Sequence, residues 1–203
     1  MVKEYNNWEF FTLTEDIQCS TEYALSGRKI GYSGTAEFYD EQPETFKQAW
    51  RQRVRWARGY YQVYGLRGKA LIKNCFKNFA CWDILTSIFP AMILTLATLI
   101  VLPLCTIIGL CVGNYSAAWL AFGSLLGSFG SLYCVVFFIG LLLCITEWKK
   151  IKCSNIKKIL YLFTFPLYML TYVLISIRAL FGKVEWKPIV HTANISIDEI
   201  NKK

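Results

Sequence analysis

The sequence predicts an α-helical membrane region of about three hydrophobic helices, attached to a shorter and more polar α/β segment in front of it. Three observations carry this prediction. Hydrophobic residues make up 55% of the 203 residues and charged residues only 18%, too apolar a balance for one ordinary soluble domain. The apolar residues concentrate after position 81, in runs near 84–112, 117–146 and 159–181, each longer than the roughly 20 residues that cross a bilayer core. Most of the polar chemistry lies in the first 80 residues. The chain therefore divides into a polar folded segment (1–68), an amphipathic interfacial segment (69–81), a transmembrane region (82–181) and a tail (182–203).

Residues 1–13 do not read as a secretory signal, because Met1 to Phe10 is polar and mixed in charge. Trp8, Phe10, Phe11 and Leu13 are apolar enough that a preceding element is expected to cover them. A helix is expected from Thr14, with Thr14 as its cap, Glu15 and Asp16 favoured in the first turn by the helix dipole, and Gly27 as its stop. Arg28–Ser33 and Ala36–Tyr39 read as short strands around a turn at Gly34. The acidic turn Glu41-Gln42-Pro43-Glu44-Thr45 leads into a helix over about 44–64, which Gly65 and Gly68 are expected to break. Lys69, Lys73 and Lys77 then recur every four positions among Leu71, Ile72, Phe76 and Phe79, the pattern of a surface-lying helix with one headgroup-facing edge.

The first apolar run contains Pro90 and Pro103, which a membrane helix tolerates with kinks. A short uncharged link, Gly113-Asn114-Tyr115-Ser116, precedes the second run, whose Gly and Ser residues permit close helix packing. The link from Glu147 to Lys158 carries five lysines and is cytoplasmic by the positive-inside rule, and Pro166 interrupts the third run. The expected location is a multi-pass protein of the cell membrane with residues 1–81 on the cytoplasmic side.

The net charge of +8 does not signal nucleic acid, because the cations cluster in the 51–58 stretch and beside the apolar runs, where anionic lipid and phosphate-bearing ligands are the better partners. The eight cysteines form no CxxC pair, and Cys105, Cys111, Cys134 and Cys144 lie inside apolar runs as small hydrophobes. His191, the only histidine, reads as a surface residue of the tail.

The chemistry-bearing stretch is Gln52-x-x-Arg55-Trp56. Its spacing of i, i+3 and i+4 puts an amide, a guanidinium and an indole on one helical face. A guanidinium binds a diphosphate in bidentate fashion, and an indole stacks on the apolar face of a sugar ring. Arg51, Arg53 and Arg58 are expected to point elsewhere, toward solvent, acidic partners or lipid headgroups. Taken alone, the stretch also fits a basic amphipathic helix lying on a membrane.

Thr14-Glu15-Asp16, followed by Glu41-Gln42-Pro43-Glu44-Thr45 and Gln52-x-x-Arg55-Trp56, resembles the two C-terminal motifs of family 2 inverting glycosyltransferases and the turn between them. That group includes cellulose, chitin and hyaluronan synthases. The resemblance implies that residues 1–68 are the C-terminal remnant of a GT-A-type α/β nucleotide-sugar domain. It implies transfer of a sugar, with inversion, from a nucleotide-sugar donor to a membrane-associated glycan acceptor. Asp16 would be the general base, and Glu15, Gln52, Arg55 and Trp56 would bind substrate. Gln18 departs from the acidic or aliphatic residue the family often shows there. The family's Mg²⁺ or Mn²⁺ is held by an upstream Asp and an Asp-x-Asp motif, and this sequence has only Asp16, Asp40, Asp83 and Asp198. The chain is therefore expected to be a fragment or one half of a split enzyme, inactive alone, with a separate chain as the source of the N-terminal half. A reading from another class stays open: a non-catalytic membrane protein whose basic helix docks lipid, glycan or a synthase partner.

Overall fold

The computed structural model describes residues 9–33, 36, 40–88, 90–182 and 184, and for 90–96 the backbone alone. Among these described residues six helices follow one another: α1 (Glu15–Leu25), α2 (Phe46–Asn74), α3 (Phe79–Ile88), α4 (Pro90–Cys111), α5 (Tyr115–Thr146) and α6 (Asn155–Phe181). They belong to two compact units, Met1–Ile88 with Arg178–Lys203, and Phe89–Ile177.

In the first unit α1 packs on α2 and α3. Ala24, Leu71 and Cys81, one from each helix, form its buried centre, with Leu25, Ile84 and Leu85 packed around them. Asn78 ties the ends together: its Nδ2 donates to the Ala24 carbonyl (2.9 Å), and its Oδ1 accepts from Ala80 N (3.0 Å) at the start of α3. An ion pair between Arg67 and Glu22 joins α2 to α1. α1 ends as expected, with Gly27 at φ +72°, a backbone conformation that glycine adopts without strain.

Two features of this unit differ from the sequence expectations. Arg28–Ser33 is not a strand: no strand occurs among the described residues, and Ile30 and Tyr32 are exposed. A period-2 apolar pattern marks a surface that a sheet could use, but the hydrogen-bond ladder must come from a neighbouring strand. The GT-A-type α/β remnant is thus not seen as such in this all-helical structure. The second expected strand and its Gly34 turn lie largely outside the described residues, as do Trp8 and His191. Nor do Gly65 and Gly68 end α2, which runs unbroken for 29 residues through both. Buried Val63, Gly68 and Leu71 hold that stretch against its neighbours, and such packing outweighs the roughly 1 kcal/mol per glycine that intrinsic propensity costs.

In the second unit α4 and α5 form an antiparallel hairpin. Gly113 makes the turn at φ +76°, and the Asn114 side chain caps α5 by accepting from Ala117 N at 3.1 Å. A Cβ on Gly109 would stand 3.0 Å from the Ala118 nitrogen, so the two helices approach closely there. α6 meets α5 through side chains: the Phe137 and Phe163 rings lie 5.1 Å apart, and Tyr133 Oη donates to the Phe163 carbonyl (3.1 Å). That carbonyl is next to the Leu162 carbonyl, which Pro166 deprives of its usual N–H partner.

Among the described residues two helices, α5 with 32 residues and α6 with 27, are long and apolar enough to cross a membrane. At 1.5 Å per residue they extend about 40–48 Å, beyond the roughly 30 Å of a hydrocarbon core. Against an expectation of about three such helices, two are found among the described residues, and the first apolar run is divided between α3 and the 22-residue α4. Pro90 opens α4 at the position where its missing N–H costs nothing. Ala97–Cys111, the part of α4 whose side chains are described, is a shorter apolar helix.

Candidate active site

α2 begins where the sequence places it. Thr45 is its N-cap, with Thr45 Oγ1 accepting from Gln48 N (3.3 Å) and Gln48 Oε1 accepting from Thr45 N (3.2 Å). Gln52, Arg55 and Trp56 follow on this helix, each half-buried. Among the described residues none of the three is hydrogen-bonded or ion-paired to Asp16.

The start of α1 lands on the same helix just beyond them. A Cβ on Gly59 would collide with the Thr14 side chain at Oγ1, Cγ2 and Cβ, so only glycine admits the contact in this form. Leu13 N donates to Gln62 Oε1 (3.0 Å), and Thr12 N donates to Gln18 Oε1 (3.1 Å), which pins the turn that delivers Thr14-Glu15-Asp16. Gly59 is three residues beyond Trp56 and seven beyond Gln52, about one and two helical turns. The two motifs, 36 residues apart in sequence, therefore share one side of α2. Glu15 and Asp16 are exposed, and Asp16 Oδ1 accepts from Ile17 N at 2.8 Å. Burial, and then the Asp16 carboxylate, push the Tyr60 phenol above its ordinary pKa.

Several roles differ from those expected. Thr14 precedes α1, but its side chain does not cap it; the hydroxyl is buried against Gly59 without a hydrogen-bond partner. Arg51 is exposed as expected, whereas Arg53 is buried, with Nε donating to the Ala49 carbonyl (3.3 Å) and its guanidinium 5.9 Å from the centre of the Phe46 ring. Arg58 reaches the last turn of α6, donating to the carbonyls of Ala179 (3.2 Å) and Leu180 (3.5 Å), a favourable place for a cation. Gly59, Tyr60 and Gln62 were not singled out from the sequence. Gly59 and Tyr60 continue the helical face of positions 52, 55 and 56, although nothing local to them marks the contact with Thr14, and Gln62 lies off that face.

Residues 1–181 match the family described as Glycosyl transferase family group 2. The chain belongs to that family. Over 62 residues it is 39% identical to the poly-beta-1,6-N-acetyl-D-glucosamine synthase of Staphylococcus aureus (strain COL), a match covering 30% of this chain and 15% of the relative. Over 87 residues it is 30% identical to the Bacillus subtilis (strain 168) protein named "Probable glycosyltransferase YdaM", covering 39% of this chain and 21% of that one. The matches thus span about a fifth or less of these relatives' lengths. No solved structure matches significantly.

For a family 2 chain the divalent cation is the remaining expectation. Among the described residues no group of three His, Cys, Asp or Glu side chains could hold a metal ion.

Proposed function

We propose that this chain is the C-terminal portion of a membrane-bound transferase that moves a sugar from a nucleotide-sugar donor to a growing glycan with inversion. The supporting observation is the seating of Thr14-Glu15-Asp16 on the Gln52-Arg55-Trp56 helix through Gly59. Asp16 takes the proton of the acceptor hydroxyl as its oxygen attacks the anomeric carbon. The new glycosidic C–O bond forms as the bond to the diphosphate oxygen breaks, and the nucleoside diphosphate leaves with that electron pair. Arg55 and Gln52 hold the departing diphosphate, where charge develops. Trp56 stacks on the acceptor sugar, and Glu15 contacts substrate beside the base. Donor and metal binding fall to residues beyond those described or to a second polypeptide, and the chain alone is inactive. α5 and α6 cross the bilayer in a multi-pass arrangement, with residues 1–81 on the cytoplasmic side; because Arg58 holds the C-terminal turn of α6, the Glu147–Lys158 link then lies on the opposite face, against the positive-inside expectation.

The name of the S. aureus relative makes UDP-N-acetylglucosamine the first donor to try. In membranes containing this chain with its donor-binding part, Asp16→Asn is expected to lower incorporation of labelled sugar by about 10²–10⁴-fold, the usual contribution of a general base. Unchanged incorporation would remove Asp16 from the reaction. The docking reading has its own observation. Phe76 and Phe79 are 94% and 78% exposed beside Lys69, Lys73 and Lys77, a surface that suits lipid or a partner. A docking protein would keep its vesicle or partner binding in the Asp16→Asn variant and show no transfer to lose.

A further inference from the structure

Outside the α1–α2 site, the least explained charged group is Lys158, at the linker end of α5 and α6. Its side chain lies in a cleft of about 220 Å³ whose walls include Leu143, Cys144, Ile151, Leu162 and Phe165. Lys158 is only 8% exposed. Its Nζ donates to the Trp148 carbonyl (2.6 Å) and lies 4.6 Å from the centre of the Trp148 ring. Neither partner is an anion, and the one described carboxylate in the linker, Glu147, is paired with Lys150 at 3.0 Å. An ammonium has three N–H donors, and burial without an opposite charge is costly. The exposed Lys149 and Lys157 add positive charge nearby in sequence.

We propose that this cleft holds one anionic phospholipid, its phosphate on Lys158 and the upper part of an acyl chain against the apolar walls. A free phosphate would use the ammonium and leave the walls wet. A neutral hydrocarbon would fill the walls and leave the cation unpaired. The cleft is smaller than the roughly 300–1,000 Å³ of sites that enclose a whole small molecule, which suits a chain segment entering from the side. Its place at the lysine-rich ends of two long apolar helices is headgroup depth. The inference rests on the reading that α5 and α6 cross a bilayer.

The test uses the full chain in nanodiscs offered dioleoylphosphatidylglycerol or dioleoylphosphatidylcholine, with retained lipid counted by native mass spectrometry. The wild type is expected to keep one phosphatidylglycerol in preference to phosphatidylcholine. Lys158→Gln is expected to weaken that retention at least about fivefold, the factor for one headgroup-facing cation, and Lys158→Arg to preserve it. Equal retention of the two lipids by the wild type overturns the site. So does an equal loss in Lys149→Gln/Lys157→Gln, which would mean diffuse surface charge, or a Lys158→Gln variant that melts earlier with its lipid preference intact. Should Lys158→Gln fail to fold, the wild type still decides through Cys153, which also lines the cleft. Phosphatidylglycerol should slow its alkylation by N-ethylmaleimide relative to phosphatidylcholine, and equal rates would count against occupancy. Alkaline carbonate extraction from phosphatidylcholine membranes separates the two readings. A chain that washes out overturns both spanning and the lipid site; one that stays without lipid preference overturns the site alone.

Discussion

The α1–α2 junction and the α5–α6 pair are both helix contacts, held by opposite means. At the junction a glycine admits a threonine side chain, a glutamine amide satisfies a backbone N–H, and Thr14 and Thr21 are buried. Between α5 and α6 the contact is chiefly aromatic, and large apolar side chains such as Leu120 (73%) and Phe138 (64%) on α5 remain exposed. Polar contacts with strict geometry fix a register, so the junction specifies where Asp16 stands relative to Trp56. Apolar surface in such quantity fixes no register by itself and asks for an apolar surrounding. Substitutions at the junction should therefore act on position, and substitutions along the exposed faces of α5 and α6 should act on insertion.

The sharpest way to break this contrast is Gly59→Ala. The added methyl meets Thr14 Oγ1, Cγ2 and Cβ, all within 2.8 Å, and a β-branched side chain has little room to turn away. Overpacking of this kind costs about 1–3 kcal/mol, and transfer activity should fall as Asp16 moves with α1. Adding Thr14→Ala removes two of those three atoms and should restore part of the melting temperature. A Gly59→Ala protein that melts with the wild type would show that the close contact does not exist. The same exchange at Gly123 on α5, where a Cβ meets nothing within 4 Å, should be nearly silent.

A smaller effect is expected at Gln62. Gln62→Leu leaves the partly buried Leu13 N–H without its acceptor, a loss of about 1–3 kcal/mol. Gln62→Glu keeps an acceptor oxygen and should retain most of the stability. Thermal melts of both in detergent check the ordering, and equal melting of the two variants would contradict the hydrogen bond.

Much of the junction was legible because its signals are local. The dipole-favoured start of α1, the Gly27 stop, the turn that leads into α2 and the i, i+3, i+4 face of Gln52, Arg55 and Trp56 each depend on a few neighbouring residues. Pairing of the two motifs came from family resemblance, and the contact that achieves it, Thr14 on Gly59, had no local signal. The misjudged features are those that tertiary structure decides. Gly65 and Gly68 look like stops, yet buried Val63 and Leu71 carry α2 past them. Arg53 looks like a surface cation, yet it folds back along its own helix onto Ala49 and Phe46. The 28–33 stretch has strand-forming residues but shows no ladder. In the apolar half, hydropathy found the long runs but did not divide the first of them into α3 and α4.

The finest test of the junction is electrostatic and reads the neighbourhood of Asp16 directly. Burial first, and the Asp16 carboxylate second, raise the Tyr60 phenol above its ordinary pKa of 10.0. The folded state then holds this proton more tightly than the unfolded one. The resulting stability is complete below about pH 10 and is lost as pH rises from there through the raised folded value. Tyr60→Phe removes the titrating group, so its melting temperature should decline less steeply than that of the wild type across that alkaline window. Asp16→Asn should recover a smaller part of the same difference, because it removes the second cause and leaves burial in place. If Asp16→Asn leaves the alkaline slope of the wild type unchanged while Tyr60→Phe flattens it, the phenol is buried but the carboxylate is not beside it. The placement of Asp16, the proposed general base, on the Gly59 side of α2 would then fail, even with the helix packing intact.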